Sequence, residues 1–178
     1  MLTEEVKTLE IYKYGSSILR ETMRPVEEMS ADLLSFIENM FHTMYEEEGI
    51  GLSANQVGSH LHVCVIGASL LEELDLDDFV IINGEILDSS GSCTAEEGCL
   101  SFPDIHEEVT RPDRINLRYQ DENLEVYEKE FEGYIARVIQ HELDHLNGVY
   151  FIDRISALRR KLLKKQLTQI SETQKHHK

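Results

Sequence analysis

The sequence predicts an α+β fold, in which antiparallel sheets wrap around one central helix that carries a His-Glu-x-x-His pattern at residues 141–145. Segments with strand-like alternation, such as residues 115–119 and 124–131, precede this helix and do not alternate with helices in β-α-β units. Helical periodicity also marks an N-terminal helix and a C-terminal amphipathic helix at about residues 156–171. A chain of 178 residues is expected to form a single domain, residues 1–178.

The charge distribution is strongly uneven along the chain. The formal net charge of −17 divides into +7 over residues 154–178 and −24 over the remainder, so a polyanionic partner would meet the C-terminal end. A solvated helix face would show the same pattern. No apolar run approaches the roughly 20 residues that span a bilayer, and the N-terminus lacks the features of a signal peptide. The three cysteines are an odd set and do not indicate a disulfide framework, so a cytoplasmic protein is predicted. No membrane or DNA partner is expected.

A helix is predicted in the N-terminal third, with Ser30 as its N-cap. Asp32 stands in the first turn, where a carboxylate is favourable, and Gly49 can end the helix. Residues 8–19 are expected to be an extended segment with a turn. Residues 49–56 contain two glycines and small side chains, which suit a backbone close to a ligand or another strand. The apolar positions at helical spacing are Leu33, Ile37, Met40, Phe41 and Met44.

The middle of the chain is predicted to consist mainly of strands. Residues 61–66 are rich in β-branched side chains, and residues 79–82 are expected to form another strand after an acidic surface loop at residues 72–78. Residues 88–97 are polar and are expected to be irregular. The two alternating segments that follow are expected to form a hairpin with a turn at residues 121–123.

Two further helices complete the prediction. One is expected at about residues 133–146, ending at an Asn-Gly pair, and Ser156 is expected to cap the other. The C-terminal helix would carry basic residues on one side. His176 and His177, near the end of the chain, are not counted as metal ligands. The apolar side of this helix is formed by Leu158, Leu162, Leu163, Leu167 and Ile170.

The His-Glu-x-x-His pattern carries the strongest chemical signal. On a helix, His141 and His145 lie one turn apart on the same face and can bind one metal ion, with Glu142 beside them as a proton carrier. An amphipathic helix that happens to carry two histidines is the alternative. Cys99, in a glycine-containing stretch, can supply a third ligand and leave a fourth position for water. Gln56 and a backbone N–H after Cys99 are available as donors to an oxyanion.

Three motifs resemble those of the peptide deformylase family. They are Gly-Ile-Gly-Leu-Ser-Ala-Asn-Gln at residues 49–56, Glu-Gly-Cys-Leu-Ser at 97–101, and Gln-His-Glu-Leu-Asp-His at 140–145. Their order and spacing also resemble the family pattern, and the similarity extends over about residues 14–154. The resemblance implies a metal-dependent hydrolase that removes the N-formyl group from formyl-methionyl nascent peptides.

The resemblance also implies roles for the matching residues. Glu142 would act as general base and then general acid, while Gln56 and the Leu100 N–H would hold the oxyanion. Gly51 would offer backbone contact to the substrate. An ion pair between Glu97 and Arg111 would fix the cysteine-containing loop. The implied metal ligands are Cys99, His141 and His145, and the implied methionine pocket is formed by Ile50, Tyr134 and Val138.

Two positions depart from the family pattern. Ser53 stands where the family usually has alanine, and its hydroxyl needs a partner if it is buried. His106 stands where some members have an arginine that contacts the peptide backbone, so the outer peptide subsites are expected to differ. Little effect on the chemistry is expected from Ser53.

The resemblance implies Fe(II) as the metal in the cell. One thiolate and two imidazoles also suit Zn(II), Ni(II) or Co(II). The basic C-terminal helix resembles that of family members whose tail docks on the ribosome near the nascent-chain exit. Clustered lysines and arginines are what phosphate contacts require.

Two other functions are considered. The His-Glu-x-x-His pattern alone would allow a zincin-like metallopeptidase, but the usual downstream third ligand is missing from the sequence before the tail. The second is a deformylase-like domain without activity that works as a ribosome-binding module. Because every chemical residue is present, the active enzyme is the favoured prediction.

Overall fold

The computed structural model describes residues 6–71 and 74–175. His176 and His177 lie outside the described residues, as do two positions of the predicted acidic loop. The described helices are α1 (Ala31–Glu46), α2 (Gly133–Leu146), α3 (Ala157–Leu162) and α4 (Lys164–Lys175). The strands are β1 (Gly51–Ser53), β2 (Val63–Ile66), β3 (Phe79–Ser90), β4 (Cys93–Cys99), β5 (Phe102–Arg111), β6 (Arg114–Gln120) and β7 (Val126–Glu132).

The strands form two antiparallel sheets, which confirms the α+β class. Five strands pair in the order β1-β2-β3-β6-β7, and β4 pairs with β5 in a separate two-stranded sheet. The predicted hairpin is confirmed as β6 and β7, with Tyr119 opposite Tyr127. β4 and β5 form a second hairpin that ends next to α2. Cys99 is the last residue of β4, so this hairpin determines where its thiol lies.

The prediction that residues 88–97 are irregular was wrong. β3 continues to Ser90, and β4 begins at Cys93, so the polar stretch lies in two strands joined by a short turn at Gly91. The second half of β3 is exposed and pairs with β6 through two register shifts. An exposed, irregularly paired strand shows no alternation of apolar and polar residues, so the sequence pattern did not reveal it.

The N-terminal helix begins as predicted. Ser30 Oγ accepts a hydrogen bond from the Leu33 N–H at 3.1 Å, the bond expected of an N-cap. At the other end, the Gly49 N–H donates to the Met44 carbonyl at 2.8 Å. Glu48, just before Gly49, takes the left-handed conformation with φ of 56°. This turn leads the chain directly into β1.

α2 is the most deeply buried helix of the described chain. Eleven of its fourteen residues are buried, although its average character is only weakly apolar, because polar and charged side chains are among them. It packs against β1, β2, β6 and β7 of the five-stranded sheet. Burial of so many polar groups requires internal partners, and these partners form the site described below.

The C-terminal region differs from the prediction of one helix with all of its leucines on one side, because it forms two helices. Ser156 caps α3 as expected, with its Oγ 3.2 Å from the Arg159 N. The helix is interrupted at Leu163, and α4 begins at the next residue. Leu163 and Leu167 are buried, whereas Leu158 and Leu162 are 69% and 68% exposed. The break turns the first two leucines away from the core. Among the described residues, no helix has the length and apolar character that a membrane crossing requires.

Candidate active site

α2 and the end of β4 bring together three side chains that could bind one metal ion. His141 and His145 lie one turn apart on α2, and Cys99 faces them from β4. One ligand atom from each of the three residues lies within 4.8 Å of the other two. Cys99 Sγ is 3.1 Å from His145 Nε2. One sulfur and two imidazole nitrogens are a donor set that fits Zn(II), Fe(II) and related transition metals.

Glu97 orients His141 from behind. Its Oε2 lies 3.1 Å from His141 Nδ1, which leaves the other ring nitrogen for a metal. Arg111 forms a bidentate pair with Glu97, in which Nε donates to Oε1 at 2.6 Å and Nη2 donates to Oε2 at 2.9 Å. Its Nη1 also donates to Asp144 at 2.8 Å. Burial opposes the charge on Glu97, but the hydrogen bonds from His141 and Arg111 outweigh it and hold the pKa of that carboxyl well below its usual range.

Arg137 is a member of this network that sequence reasoning missed. Its Nη1 donates to Glu97 Oε1 at 2.7 Å, so Glu97 is held by two arginines. Its side chain is almost fully buried, at 6% exposure. The signal was present in the sequence, because Arg137, His141 and His145 repeat at intervals of four on one helix face. A charged residue at such a position requires a buried partner.

Gln56 is fixed with its amide nitrogen toward the cysteine. Its Oε1 accepts hydrogen bonds from the Ser53 N–H at 3.0 Å and the Ser53 hydroxyl at 2.8 Å. Its Nε2 donates to Ser101 Oγ at 3.1 Å and lies 3.6 Å from Cys99 Sγ. The hydroxyl of Ser53 is fully buried and therefore has the partner that it needs.

The N-terminal segment joins the loop that carries Gln56 to the loop that carries Ser101. The Tyr12 N–H donates to the Gln56 carbonyl at 2.7 Å, and the Tyr14 N–H donates to the Ser101 carbonyl at 2.9 Å. Ser101 Oγ in turn donates to the Tyr12 carbonyl at 2.7 Å. Leu100 lies in the turn between Cys99 and Ser101, so its backbone position is fixed together with theirs.

Glu142 is buried beside the three ligands. Its side chain has 5% exposure, and Oε2 has no hydrogen-bond partner within the part of the chain that the structure describes. Burial raises the pKa of Glu142 to about 7, against the opposing influence of His141. Gly51 lies against it, because a Cβ added there would come within 2.6 Å of Glu142 Oε1. β1 can approach the carboxylate this closely only with glycine at this position.

A cleft of about 620 Å³ opens onto these groups. Its wall includes Ile50, Tyr134 and Val138, the three residues expected to surround an apolar side chain. His106 lies exposed at the cleft, where its ring leaves no room for a Cβ on Gly98, with Cδ2 2.8 Å from that position. Arg111 lies behind the cleft wall. The remaining predicted site residues in the lining are Gln56, Gly51, Glu97, Cys99, Leu100, His141 and Glu142.

Known proteins resemble this chain along most of its length. Residues 8–161 match the family described as "Polypeptide deformylase". A peptide deformylase of Thermotoga maritima is 44% identical over 163 residues, which cover 91% of this chain and 96% of the relative.

Solved structures of peptide deformylases also resemble the fold of this chain. The peptide deformylase of Thermus thermophilus superposes with a TM-score of 0.87 at 34% identity, covering 94% of this chain and 99% of that chain. A Met-Ala-Ser-bound class I type b peptide deformylase from Acinetobacter baumannii superposes with a TM-score of 0.79 at 34% identity, covering 85% of this chain and 100% of that chain.

Proposed function

The chain belongs to the polypeptide deformylase family, and from that membership we propose which of its residues perform each part of the reaction. The protein is a metal-dependent hydrolase that removes the N-formyl group from nascent polypeptides. The observation that carries the proposal is that Cys99, His141 and His145 each offer a ligand atom within 4.8 Å of the others. Cys99 and His141 also line one cleft with Glu142, whose Oε2 has no partner among the described residues.

We propose that Cys99, His141 and His145 hold the metal at the floor of this cleft, on the central helix α2. A metal bound there supplies Lewis acidity and lowers the pKa of water from 15.7 toward about 7. Glu142 accepts a proton from the attacking water, and oxygen forms a bond to the formyl carbon. Glu142 then gives the proton to the amine as the carbon–nitrogen bond breaks, so that formate and a free N-terminus result.

Two donors are placed to hold the oxyanion in this proposal. Gln56 Nε2 already points toward Cys99, and the Leu100 N–H lies in the turn that follows that cysteine. Donors fixed before the reaction are effective because they need no reorganisation when charge develops on oxygen. The two hydrogen bonds from Ser53 to Gln56 Oε1 support this role, since they determine which end of the amide faces the site.

The methionine side chain would pack against Ile50, Tyr134 and Val138. Tyr134 and Val138 lie one turn apart on α2, and Val138 precedes His141 by one turn, so the pocket adjoins the metal. Tyr134 is half-exposed while Val138 is buried, which would place Val138 at the bottom of the pocket. The Acinetobacter relative was solved with Met-Ala-Ser bound, which supports a ligand that contains methionine.

Release of formate from formyl-Met-Ala-Ser by protein reconstituted with Fe(II) tests the function. We expect turnover of this peptide and none of its unformylated form. Cleavage of unformylated peptide bonds would instead support the zincin-like alternative. If metal binds but no formate appears, the alternative of an inactive ribosome-binding module would replace the enzyme.

Substitution of Gly51 by alanine tests the close approach of β1 to Glu142. The added methyl would overlap Glu142 Oε1, so the carboxylate must move, and we expect kcat/KM to fall about 10²-fold, the cost of a displacement near 1 Å. Gly133→Ala is the control, since its Cβ would meet no atom within 4 Å, although its φ of 68° makes it a strained site. Activity of Gly51→Ala equal to that of the unmodified protein would contradict the expected clash.

We further propose Fe(II) as the metal in the cell, with Zn(II), Ni(II) or Co(II) as possible occupants. The donor set alone allows all four. Metal analysis after rapid anaerobic purification tests this assignment. The free thiols of Cys64, Cys93 and Cys99 suit a reducing cytoplasm, where nascent chains are made. We propose that residues 1–178 form one catalytic domain that includes the C-terminal helices.

We propose that the basic C-terminal helices contact the ribosome. A groove of about 680 Å³ runs beside α3 and α4, and its cations include Arg20, Arg160, Lys161 and Lys164. Clustered cations of this kind favour the phosphates of RNA. The exposed Leu158 and Leu162 lie next to these cations and would add apolar contact with a ribosomal protein.

The ribosome proposal is best tested by changing charge. Deletion of α4 would remove a structural contact, because Leu167 is buried and Gln174 Oε1 accepts a hydrogen bond from the Lys13 N–H at 2.9 Å. We therefore propose the exposed triple variant Lys161→Gln, Lys164→Gln and Lys165→Gln. Its ribosome affinity in co-sedimentation should fall, and the slope of log affinity against log salt should decrease by about 0.7–0.9 for each lost phosphate contact.

A triple variant elsewhere on the surface controls for net charge. Lys7→Gln with Arg24→Gln and Lys129→Gln also removes three cations from exposed positions, all outside α3 and α4. It should leave ribosome binding within about twofold of the unmodified protein. Unchanged binding and salt dependence of the first triple variant would mean that these helices only pack on the body.

A further inference from the structure

The Arg137 guanidinium donates hydrogen bonds to three acceptors. Besides the bond to Glu97 Oε1, its Nη1 donates to the Val109 carbonyl at 2.8 Å, and its Nη2 donates to the Cys93 carbonyl at 2.6 Å. Val109 lies in β5 and Cys93 begins β4. The guanidinium therefore ties α2 to both strands of the hairpin that carries Cys99.

The carboxylate of Glu97 depends on this arginine for its orientation. Arg111 and Arg137 both donate to Oε1, at 2.6 and 2.7 Å, whereas Oε2 accepts from Arg111 at 2.9 Å and faces His141 Nδ1. With Oε1 occupied twice, the plane of the carboxylate is fixed. The oxygen that is left for the histidine is then held in one place.

Arg137 supplies one of the two buried arginine charges of this cluster. Two carboxylates, Glu97 and Asp144, face two buried arginines, Arg111 and Arg137. Arg111 alone would have to serve both acids, and Arg154, the other partner of Asp144, is 41% exposed and so is screened by water. Loss of Arg137 would leave Glu97, next to His141, with Arg111 alone, which it shares with Asp144, in a region where a poorly compensated charge is costly.

We propose that Arg137 is a positioning residue of the metal centre. By neutralising Glu97 and by tying the β4–β5 hairpin to α2, it fixes His141 and Cys99 relative to each other and thereby sets the affinity of the site for a divalent metal. This inference rests on the metal site proposed above. Its action is indirect, because Arg137 reaches His141 through Glu97 and reaches Cys99 through the backbone of β4.

Cobalt(II) binding tests the inference without reliance on activity. We compare Arg137→Met, which removes the charge, Arg137→Lys, which keeps it, and Arg114→Gln, which breaks an exposed pair with Glu132. The dissociation constant comes from competition with a chelator, and the absorption bands of the cobalt–thiolate centre report ligand geometry. Loss of a residue that orients a ligand costs about 10–100-fold in metal affinity.

The expected pattern separates positioning from general stability. Arg137→Met should bind Co(II) about 10–100-fold more weakly with shifted bands, Arg137→Lys should recover most of the affinity, and Arg114→Gln should match the unmodified protein. Unchanged affinity and spectrum in Arg137→Met, or a lysine variant as weak as the methionine variant, would overturn the inference. If Arg137→Met does not fold, Arg137→Gln takes its place in the same comparison.

A double-mutant cycle with Glu97→Gln tests the proposed route. If Arg137 acts through Glu97, the two substitutions should be non-additive, and Arg137→Met should weaken Co(II) binding much less in the Glu97→Gln background. Full additivity would exclude Glu97 as the intermediary. Absence of a cobalt–thiolate band in the unmodified protein would instead defeat the proposed metal site, so the two failures are distinguishable.

Discussion

Glu142→Gln is expected to lower kcat by about 10²–10⁴-fold while leaving the metal bound, because the amide keeps the shape of the side chain but cannot accept a proton. Glu142 has 5% exposure, and its Oε2 has no hydrogen-bond partner among the described residues, so the substitution removes no hydrogen bond to that oxygen. It also contributes no atom to the proposed ligand set. Formate release and metal content, measured on the same preparation, separate the two effects.

Glu107→Gln is the matched control for that variant. Glu107 is also a buried glutamate, with 6% exposure, but it pairs with Arg159 at 2.8 Å away from the cleft. Its loss should lower the melting temperature and leave kcat unchanged. Near-normal deformylation by Glu142→Gln would remove Glu142 from the role of proton carrier.

Gln56→Leu is expected to lower kcat by about 10²–10³-fold, or roughly 3 kcal/mol of transition-state stabilisation, the loss measured for single oxyanion donors. KM should change little, since the bond to oxygen forms fully only as negative charge develops. Ser53→Ala should cost far less, because Gln56 Oε1 keeps the hydrogen bond from the Ser53 N–H. Steady-state kinetics with formyl-Met-Ala-Ser measure both variants.

Gln120→Leu provides the comparison for the loss of a glutamine. Its Nε2 donates to the Leu124 carbonyl at 3.0 Å in the β6–β7 turn, so its effect should fall on stability alone. A decrease of less than about twofold in kcat for Gln56→Leu would exclude Gln56 as an oxyanion donor, given the size expected of such donors.

The parts of the fold that the sequence predicted are those with a strong local signal. Ser30 caps α1 through a hydrogen bond from the Leu33 N–H, three residues along the chain, and the alternation in β6 reflects one buried face and one more exposed face. The His-Glu-x-x-His pattern placed His141 and His145, the proposed ligands, on one helix face for the same reason. Each of these features is determined within a single element, where spacing in sequence sets spacing in the structure.

The parts that it did not predict depend on contacts between distant elements. The polar ends of β3 and β4 are held by pairing with β6 and β5, which no local pattern encodes. The break at Leu163 separates leucines that helical spacing alone would group together. Arg137 occupies an inward position because Glu97, 40 residues earlier, is its partner. The partner of the Ser53 hydroxyl is local, but only the burial of that loop made one necessary.

The bond between Lys13 and Gln174 has a consequence for the order of folding. It joins residues 161 positions apart, and the segment that it anchors also binds the Gln56 and Ser101 carbonyls. Contacts of such long range form late, because a large loop must close first. The segment that fixes the Gln56 and Ser101 loops is therefore expected to reach its final position late in folding, when α4 packs against it.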